Sequence, residues 1–328
     1  MSTKIKKIGV LTSGGDSPGM NAAIRAVVRA CAYYNVECVG IYRGYQGMIE
    51  GDFKEMGPRD VKNIINKGGT ILKSARSADF RTAEGRKRAY ENLVAAGIDS
   101  FVVIGGDGSF TGAEIFNEEY KFPVIGIPGT IDNDIFGTSH TLGYDTALNT
   151  VIDAIDKIRD TANSHNRLFF VEVMGRDAGH IALNAGIGAG AEEILIPEED
   201  FGLERLVESL KRSKDSGKTS SIVVVSEGDK IGKNVFELKD YVEENMPEYD
   251  VRVSVLGHMQ RGGSPSCFDR VLASRLGVKA VETLLDGKSN YMVGLNQDKI
   301  TLTPIEQAIK GQSEIDMELV KVSDIVSS

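Results

Sequence analysis

The stretch PVIGIPGTIDND, residues 123–134, runs from an apolar segment straight into a cluster of polar residues. Val124–Ile127 has the length of a buried strand, and Pro128-Gly129 ends it. Two aspartates and an asparagine then follow at positions 132–134. A turn needs only one such residue, whereas a catalytic or metal site at the carboxyl end of a strand can use all three. The stretch therefore predicts an α/β fold with functional side chains at strand ends.

Apolar runs of strand length alternate with amphipathic segments along the rest of the chain. The predicted strands are KIGVLT, VECVGIY, SFVVIGG, PVIGIPG, RLFFVEV, EILIP, SIVVVSEG and VRVSVLG. Helical spacing predicts helices over Met20–Tyr34, Ala83–Ala96, Thr111–Tyr120, Leu148–Thr161, Leu203–Lys214 and Arg270–Leu285. Nearly continuous apolar strands joined by helices indicate parallel sheets covered on both faces. We expect two similar three-layer α/β lobes, with a boundary near Gly143 and an active site in the crevice between them.

Composition excludes several classes of protein. The 328 residues leave room for two domains or one large domain, and a net charge of −9 argues against nucleic acid as the main partner. A local basic pocket for a small phosphate stays compatible with this charge. The three cysteines form no C-x-x-C pair, which indicates reduced, core-filling residues. No apolar run reaches 18 residues and none opens the chain as a signal peptide would, so we expect a cytoplasmic protein without a membrane partner.

The first glycine-rich turn is TSGGDSPGMN, residues 12–21. Gly14 and Gly19 have P-loop spacing, but Met20-Asn21 replaces the Lys-Ser/Thr that a P-loop requires. One interpretation is a tight turn in which Pro18 starts a helix. The other is a set of backbone amides directed at a phosphate. The residues alone leave both open.

The second glycine-rich turn is GGDGS, residues 105–109, directly after an apolar strand. Glycines here would let phosphates approach the backbone. Asp107 stands where a Mg²⁺ ion that bridges those phosphates would need an oxygen ligand. Ser109 could instead cap the following helix, although capping does not explain three glycines around an acid.

Asp132 and a set of cations fit phosphoryl transfer. A carboxylate at a strand end could accept a hydroxyl proton, and the reaction otherwise needs positioning and positive charge. Any one cation is ordinarily a surface residue, but several near strand ends or glycine turns indicate an anionic substrate. Glu227 ends another strand and suits sugar hydroxyls. The cations are Arg76, Arg167, Arg176, Arg252, His258 and Arg261.

Taken together, the motifs resemble those of bacterial-type ATP-dependent 6-phosphofructokinases. The resemblance runs from about Lys6 to beyond Leu276. GGDGS alone is not specific, since NAD kinases and lipid kinases carry a similar element. The motifs that carry the resemblance, in chain order, are GVLTSGGDSPGMNAAIR, GGT-x-L-x-SAR, VVIGGDGS, PGTIDND, VEVMGR and VLGHMQRGGSP.

The resemblance implies a site for the phosphate donor, ATP, with Mg²⁺. Gly15 and Arg76 would stabilise the transferring phosphate. Ser77 would lie beside the nucleotide at a position where relatives often carry a larger residue. The residues implied to bind ATP are Gly106, Asp107, Gly108 and Ser109, with Asp107 on the metal ion.

The resemblance also implies a site for the acceptor, fructose 6-phosphate. Asp132 would be the base that takes the proton from the 1-hydroxyl, with Thr130 and Arg176 beside the reaction. The remaining implied contacts are Met174, Gly175, Arg176 and Glu227 to the sugar, and Arg167, Arg252, His258 and Arg261 to its 6-phosphate.

Domain limits, assembly and regulation follow from the same resemblance. Residues 1–142 with about 256–304 would bind ATP, and about 143–255 with 305–328 would bind the sugar phosphate. Arg167 and Arg252 would reach a neighbouring subunit's site in a homotetramer. A second site would bind ADP or phosphoenolpyruvate, weakly, because Ser216 and Thr219 replace basic residues of relatives. Its implied residues are Arg25, Arg29, Arg159, Gly190, Glu192 and Lys218.

Gly108 and Gly129 match the ATP-using branch of the family, whereas the pyrophosphate-using branch tends to carry Asp and Lys there. A pyrophosphate-dependent phosphotransferase and a catalytically silent nucleotide sensor are the alternatives. A sensor would show damage at the base or the metal ligand, and Asp107, Asp132 and Arg76 are all intact. The sequence therefore favours the ATP-dependent kinase of glycolysis.

Overall fold

The computed structural model describes residues 5–163, 167–199, 202–215, 217, 221–228 and 234–327. Lys218, Ser216 and Thr219, which entered the effector-site prediction, lie outside these ranges. The chain divides into two compact units. The first unit is Met1–Ile131, Ile135–Thr146 and Arg261–Ser313, and the second unit is Asp132–Asp134, Ala147–Gln260 and Glu314–Ser328.

The strands are short and mostly apolar, as expected for buried parallel sheets. They are β1 Lys7–Thr12, β2 Glu37–Ile41, β3 Phe53–Glu55, β4 Ser100–Gly105, β5 Val124–Pro128, β6 Arg167–Val173, β7 Glu193–Leu195, β8 Ser221–Ser226, β9 Asp250–Val255, β10 Tyr291–Asn296 and β11 Lys299–Pro304.

The helices mostly follow strands and return the chain for the next one. They are α1 Met20–Tyr33, α2 Gly44–Glu50, α3 Ala83–Ala95, α4 Asp107–Tyr120, α5 Tyr144–Asn163, α6 His180–Gly188, α7 Leu203–Asp215, α8 Val235–Asn245, α9 Cys267–Leu285, α10 Ile305–Lys310 and α11 Met317–Val326. Within the described ranges, none of them is both long enough and apolar enough to cross a membrane.

The first unit is built on a seven-stranded sheet in the order β11-β10-β5-β4-β1-β2-β3. The strands from β10 to β2 pair in parallel, and only the two edge strands run antiparallel to their neighbours. From β1 the chain winds first to β2 and then back to β4 on the other side. The strand order therefore reverses between β1 and β4, which is where open α/β sheets bind ligands at their carboxyl edge.

The second unit contains a four-stranded parallel sheet in the order β7-β8-β6-β9. The strands β7 and β8 lie on one side of β6, and β9 lies on the other, so the strand order again reverses beside the first strand of the sheet. The apolar side chains of β6 and β8 pack with α7 and α8 in one core, which includes Phe170, Val223, Leu206 and Leu238.

Alternation along the strands of the first unit builds two separate cores. Val10 and Val102 lie in the core that contains α1 and α9, while the next residues, Leu11 and Val103, lie in the core that contains α3 and α4. Successive side chains of a strand point to opposite faces. The sheet is therefore covered on both faces, and the prediction of an α/β fold with mainly parallel sheets is confirmed.

Three helix starts differ from their predictions. Helix α4 begins at Asp107 rather than Thr111, because the Ser109 and Phe110 amides already bond to the Gly106 carbonyl. Helix α9 begins at Cys267 rather than Arg270, because Ser266 caps it. Helix α5 begins at Tyr144 rather than Leu148. The predictions also omitted eight short or edge elements: β3, β10, β11, α2, α6, α8, α10 and α11.

Candidate active site

Three of the motifs follow adjacent strands of the seven-stranded sheet. The turns after β1, β4 and β5 begin at Ser13, Gly106 and Gly129. They are tied together by main-chain bonds, from the Ser13 amide to the Ile104 carbonyl at 3.0 Å and from the Gly129 amide to the Gly105 carbonyl at 3.0 Å. The carboxyl edge of the first unit therefore gathers the glycine-rich turns in one place.

The first turn places Gly15 against the end of the Arg261 side chain. A Cβ atom there would lie 2.9 Å from a terminal guanidinium nitrogen of Arg261. Arg261, which the resemblance assigns to the sugar phosphate, therefore lies beside the residue assigned to the transferring phosphate. The sequence had not predicted this proximity, because the two residues are far apart in the chain.

The second turn places Asp107 on the first turn of α4, where backbone amides and the helix dipole favour anions. Asp107 is half-buried, and Ser109 is buried. Gly108 is exposed, and no atom lies within 4 Å of the Cβ that a side chain would add there. The turn thus presents open space beside a helix start.

The donor set around Asp107 fits a magnesium ion that is shared with a substrate. In the part of the chain that the structure describes, no group of three or more His, Cys, Asp or Glu residues could hold a metal by itself. Mg²⁺ is commonly bound through one or two carboxylates plus substrate phosphates. A single carboxylate at a helix start agrees with that mode of binding.

Arg76 lies exposed on a loop that is bonded to the first turn. Ser74 donates a hydrogen bond to the Gly14 carbonyl at 2.7 Å, and Thr12 donates one to the Lys73 carbonyl at 2.9 Å. Ser77 donates to Gln46 at 2.7 Å and accepts from the Phe80 amide at 3.2 Å, so its hydroxyl has local partners. The anchoring hydroxyls of Thr12 and Ser74 were not among the predicted residues.

Asp132 belongs to the second unit and is fully buried. Its Oδ2 lies 3.2 Å from Nε of Arg176, whose side chain is 62% exposed. A buried carboxylate beside a solvent-accessible guanidinium brings an acid and a cation to one point. Thr130, two residues earlier, is buried in the first unit, and its carbonyl accepts a hydrogen bond from Thr141 at 2.6 Å.

Arg176 has a strained backbone that Glu227 supports. The Arg176 φ of 55° lies in the left-handed region, which is unfavourable for a residue with a side chain. One carboxylate oxygen of Glu227 accepts the amides of Arg176 at 2.9 Å and Gly175 at 3.3 Å. Strain of this kind often accompanies functional sites, because the backbone is held to direct one side chain.

The carboxyl edge of the four-stranded sheet carries other residues implied to contact the sugar or its 6-phosphate. Met174 follows β6, and its amide donates to Gln260 Oε1 at 3.2 Å. His258 is exposed on the 3₁₀ turn Gly257–Arg261 that follows β9. Gln260 is fully buried and ties these two segments together, although the sequence analysis had not selected it. Its place between His258 and Arg261 in the VLGHMQRGGSP motif was the available signal.

Burial and the neighbouring Glu227 raise the pKa of Glu172 above its ordinary value. Glu172 is the next-to-last residue of β6 and had also not been predicted. Glu172 and Glu227 therefore place two carboxyl groups at the edge that carries Arg176.

Arg167 and Arg252 do not lie at this edge. Arg167 is the first residue of β6, and Arg252 is near the start of the adjacent strand β9. Both bind the same carboxylate of Asp250, with N–O distances of 2.8 Å each. At about 3.3 Å per residue, the amino end of β6 is about 20 Å from its carboxyl end. Within one chain, the two arginines are therefore separated from Arg176 and Glu227.

The residues implied in effector binding form two groups. In the first unit, Arg25 and Arg29 line a surface groove of about 290 Å³ between α1 and α9. Burial and the nearby Arg29 charge lower the pKa of Arg25. In the second unit, Arg159 donates to the carbonyls of Ala189 and Gly190 at 2.7 Å and lies 3.6 Å from Glu192.

Comparison with known proteins gives one consistent result. A family model described as Phosphofructokinase matches residues 7–284. The chain is 54% identical over 318 residues to the ATP-dependent 6-phosphofructokinase 2 of Bacteroides thetaiotaomicron, covering 97% of both chains. It is 53% identical over 323 residues to the ATP-dependent 6-phosphofructokinase 1 of Thermus thermophilus, covering 98% of this chain and all of that protein.

Solved structures agree with the sequence relatives. The phosphofructokinase of Saccharomyces cerevisiae superposes with a TM-score of 0.89 at 36% identity. The match covers 98% of this chain but 46% of the yeast chain. A pyrophosphate-dependent phosphofructokinase from Marinobacter aquaeolei superposes with a TM-score of 0.85 at 23% identity, over 96% of this chain, and shows a common fold alone.

Proposed function

This chain belongs to the phosphofructokinase family, and from that membership we propose that it transfers the γ-phosphoryl group of ATP to the 1-hydroxyl of fructose 6-phosphate. The products are fructose 1,6-bisphosphate and ADP, and the reaction is the committed step of glycolysis. The membership confirms the resemblance that the sequence motifs indicated. The observation that carries the proposal is the contact of the buried Asp132 carboxylate with Arg176. Asp132 follows β5, which pairs with β4, the strand that leads into the GGDGS turn.

Asp132 is the general base of the proposed reaction. The 1-hydroxyl oxygen attacks the γ-phosphorus, its proton passes to the Asp132 carboxylate, and the bond to the β–γ bridging oxygen breaks to release ADP. Arg176, Arg76 and the Gly15 amide stabilise the negative charge on the transferring group, and Thr130 orients the sugar. General base catalysis of this kind contributes about 10²–10⁴-fold.

The turns of the first unit are the proposed donor site. The backbone at Gly106, Gly108 and Ser109 holds the phosphates of ATP, and Ser77 lies near the nucleotide. Asp107 would hold Mg²⁺, which supplies positive charge to the β- and γ-phosphates when it is bound. The open space at Gly108 supports a nucleotide as donor rather than pyrophosphate, because a nucleotide needs the extra room.

The carboxyl edge of the second unit is the proposed acceptor site. Met174, Gly175 and Glu227 hold the sugar, and His258 and Arg261 bind the 6-phosphate. Glu227 also fixes the backbone of Arg176, so it serves the acceptor site in two ways.

Arg167 and Arg252 complete the acceptor site of a neighbouring subunit in the proposed homotetramer. Their shared position at the amino end of the four-stranded sheet supports this role, because one chain leaves them far from Arg176. Fructose 6-phosphate binding would then link the packing of subunits to the state of the site, which is a route to cooperativity.

The proposed enzyme is cytoplasmic and has a weak effector site. The residues proposed to bind ADP or phosphoenolpyruvate are Arg25, Arg29, Arg159, Gly190, Glu192 and Lys218.

An assay coupled to cleavage of the bisphosphate tests the proposal with fructose 6-phosphate as acceptor. ATP with Mg²⁺ is expected to support turnover, and pyrophosphate is expected to support little or none. Efficient turnover with pyrophosphate would establish the pyrophosphate-dependent alternative. Tight ATP binding without turnover with either donor would establish a nucleotide sensor.

A further inference from the structure

Asp269 is a fully buried carboxylate that the proposed reaction does not use. It lies in the first turn of α9, and its two oxygens bond to residues more than 120 positions earlier in the chain. Oδ1 accepts the Gly143 amide at 2.9 Å, and Oδ2 accepts both the amide and the hydroxyl of Thr146 at 2.9 and 2.5 Å. The carboxylate therefore caps the start of α5 from a distant helix.

Ser266 extends these contacts into a compact cluster. Its amide donates to the Thr146 hydroxyl at 3.0 Å, and its hydroxyl bonds to the Asp145 carboxylate. Gly143, Thr146, Ser266 and Asp269 together are called the Asp269 clamp below. The clamp joins the start of α9, six residues after Arg261, to the start of α5.

The clamp also holds one arm of the loop at residues 129–143. This loop leaves β5 at Gly129, carries Thr130 and Asp132, and returns to pair Leu142 with Gly129. The Leu142 amide donates to the Pro128 carbonyl at 2.9 Å, and the Thr141 hydroxyl donates to the Thr130 carbonyl at 2.6 Å. Because Gly143 follows Leu142, the bond to Asp269 fixes the returning arm where it meets the outgoing arm.

Gly143 allows the returning arm to lie against the first glycine-rich turn. Its φ is 99°, and a Cβ there would come within 2.7 Å of the Ser17 Cβ and 3.0 Å of the Pro18 ring. A side chain would therefore push the arm away from the turn. The Asp269 clamp thus acts at a place where the first turn, the 129–143 loop and α9 all meet.

We propose that Asp269 is a positioning residue for phosphoryl transfer, which fixes the returning arm of the 129–143 loop and so places Thr130 and Asp132. The proposal rests on the proposed function, since it assigns the loop to the reacting groups. Asp269 would contact no substrate and would act only through the 129–143 loop.

The burial of the Asp269 carboxylate is unfavourable by itself. Burial raises the pKa of Asp269 to about 6, so the carboxyl is mainly ionised at neutral pH while it lies out of contact with water. Buried charges are unfavourable unless they are well hydrogen-bonded. The bonds to Gly143 and Thr146 satisfy this need, and the same bonds fix the loop.

The test compares Asp269→Asn with two substitutions at Thr146. The Asn amide group must face the Thr146 amide or the Gly143 amide, so one donor is placed against another. We expect kcat to fall by about 10–10²-fold, which is the size of effect that a misplacement of about 1 Å produces. The KM values for ATP and fructose 6-phosphate should change little. Thr146→Val should show a smaller fall in kcat, and Thr146→Ser should restore near-normal kcat because the hydroxyl returns.

Hydrogen exchange without substrates separates this proposal from the proposed function. Amides at residues 129–146 should lose protection in Asp269→Asn, whereas those of the four-stranded sheet should not. Thr283→Val is the matched control, since it removes a buried hydroxyl from α9 that bonds only within the described helix, to the Lys279 carbonyl. It should leave both the exchange of the loop and kcat unchanged.

Two results overturn the proposal. One is a folded Asp269→Asn enzyme with normal kcat and normal loop protection. The other is a loss of protection across the whole chain that accompanies any loss of kcat, since this would mean a purely structural role. If Asp269→Asn does not fold, the Thr146 pair gives the same decision.

Discussion

The carboxyl edges of the two sheets are built from different parts of the chain. In the first unit, the edge consists of glycine-rich turns, a helix start at Asp107 and open space at Gly108. In the second unit, the edge consists of charged side chains, chiefly Arg176 and Glu227 with Asp132 beside them. One edge offers main-chain donors, and the other offers acids and cations.

The two edges should respond to opposite kinds of substitution. Main-chain donors suit phosphates because every amide is available once side chains are absent. Side chains suit a sugar phosphate because they distinguish hydroxyls from charged oxygens and can move a proton. Adding a negative charge should therefore damage the first edge, whereas removing or neutralising side chains should damage the second edge.

The largest effect is expected from neutralising the proposed base, Asp132, at the second edge. Asp132→Asn preserves size but removes the proton acceptor, so kcat should fall by about 10²–10⁴-fold. The KM for fructose 6-phosphate should change far less, which steady-state kinetics will measure. Asp153→Asn is the matched control, since it removes the same charge from an exposed residue of α5 and should have a much smaller effect. Turnover of Asp132→Asn within a few-fold of the unaltered enzyme would remove Asp132 from the role of base.

The next effect tests the first edge by adding a charge. Gly108→Asp places a carboxylate in open space, so the chain should fold normally while the charge repels the phosphates of ATP. One unfavourable charge contact of about 1.5–3 kcal/mol corresponds to a loss of about 10–10²-fold in kcat/KM for ATP. Gly108→Ala is the control and should behave nearly as the unaltered enzyme. The comparison of the edges fails if Gly108→Asp retains normal kcat/KM for ATP.

Gly129, the other glycine that matches the ATP-using branch, is a less selective test of the donor site. A Cβ at Gly129 would lie 3.1 Å from Ile104 and 3.2 Å from Met20, both in the core. Substitution there tests packing as well as ATP binding, so position 108 gives the cleaner answer about the donor.

Mixing two inactive variants tests whether the acceptor site is formed by two subunits, and the expected gain in activity is smaller than the effects above. Asp132→Asn and Arg252→Ala chains should each be nearly inactive when assembled alone. When they are mixed by dissociation and reassembly, a site formed from two chains can take Asp132 from one and Arg252 from the other. Random assembly should restore about a quarter of the sites, since each chain supplies one intact half. No recovery in verified mixed oligomers would mean that Arg252 does not act across subunits.

The sequence predicted the strand ends well because local patterns determine them. A short apolar run followed by glycine or an acid predicted the turns at Gly106, Gly129 and Glu227, and each lies at the carboxyl end of a buried parallel strand. The start of α4 was harder to predict, because the glycines in GGDGS disfavour a helix. The amides of Ser109 and Phe110 nevertheless form hydrogen bonds of the first helical turn.

Long-range contacts could not be predicted from spacing. The residues Ser266 and Asp269 form an S-x-x-D pattern, which indicates a local helix cap. The Ser266 hydroxyl does accept the Asp269 amide at 3.2 Å, but the carboxylate bonds to Gly143 and Thr146 instead. Likewise, only the strand pairing reveals that Arg167 and Arg252 share Asp250 at the amino end of the sheet.

The smallest effect is expected at the effector residues. Arg159 already donates two hydrogen bonds to the carbonyls of Ala189 and Gly190, so these donors are engaged within the chain. Each charge-assisted bond that the effector lacks weakens its binding by about 1.5–3 kcal/mol. Titration of ADP and phosphoenolpyruvate should therefore shift the half-saturation by fructose 6-phosphate only slightly. Arg25→Ala should reduce the remaining shift, with Arg275→Ala as a surface control. Large shifts at micromolar effector would contradict a weak site.

The products of the reaction test most directly whether a phosphoryl group passes from ATP to the 1-hydroxyl of fructose 6-phosphate. Phosphorus NMR of the purified chain with ATP, Mg²⁺ and fructose 6-phosphate observes both the donor and the product. We expect fructose 1,6-bisphosphate and ADP in equal amounts, with no comparable product when pyrophosphate replaces ATP. ADP formation without the sugar bisphosphate, or equal phosphorylation from pyrophosphate, would contradict it.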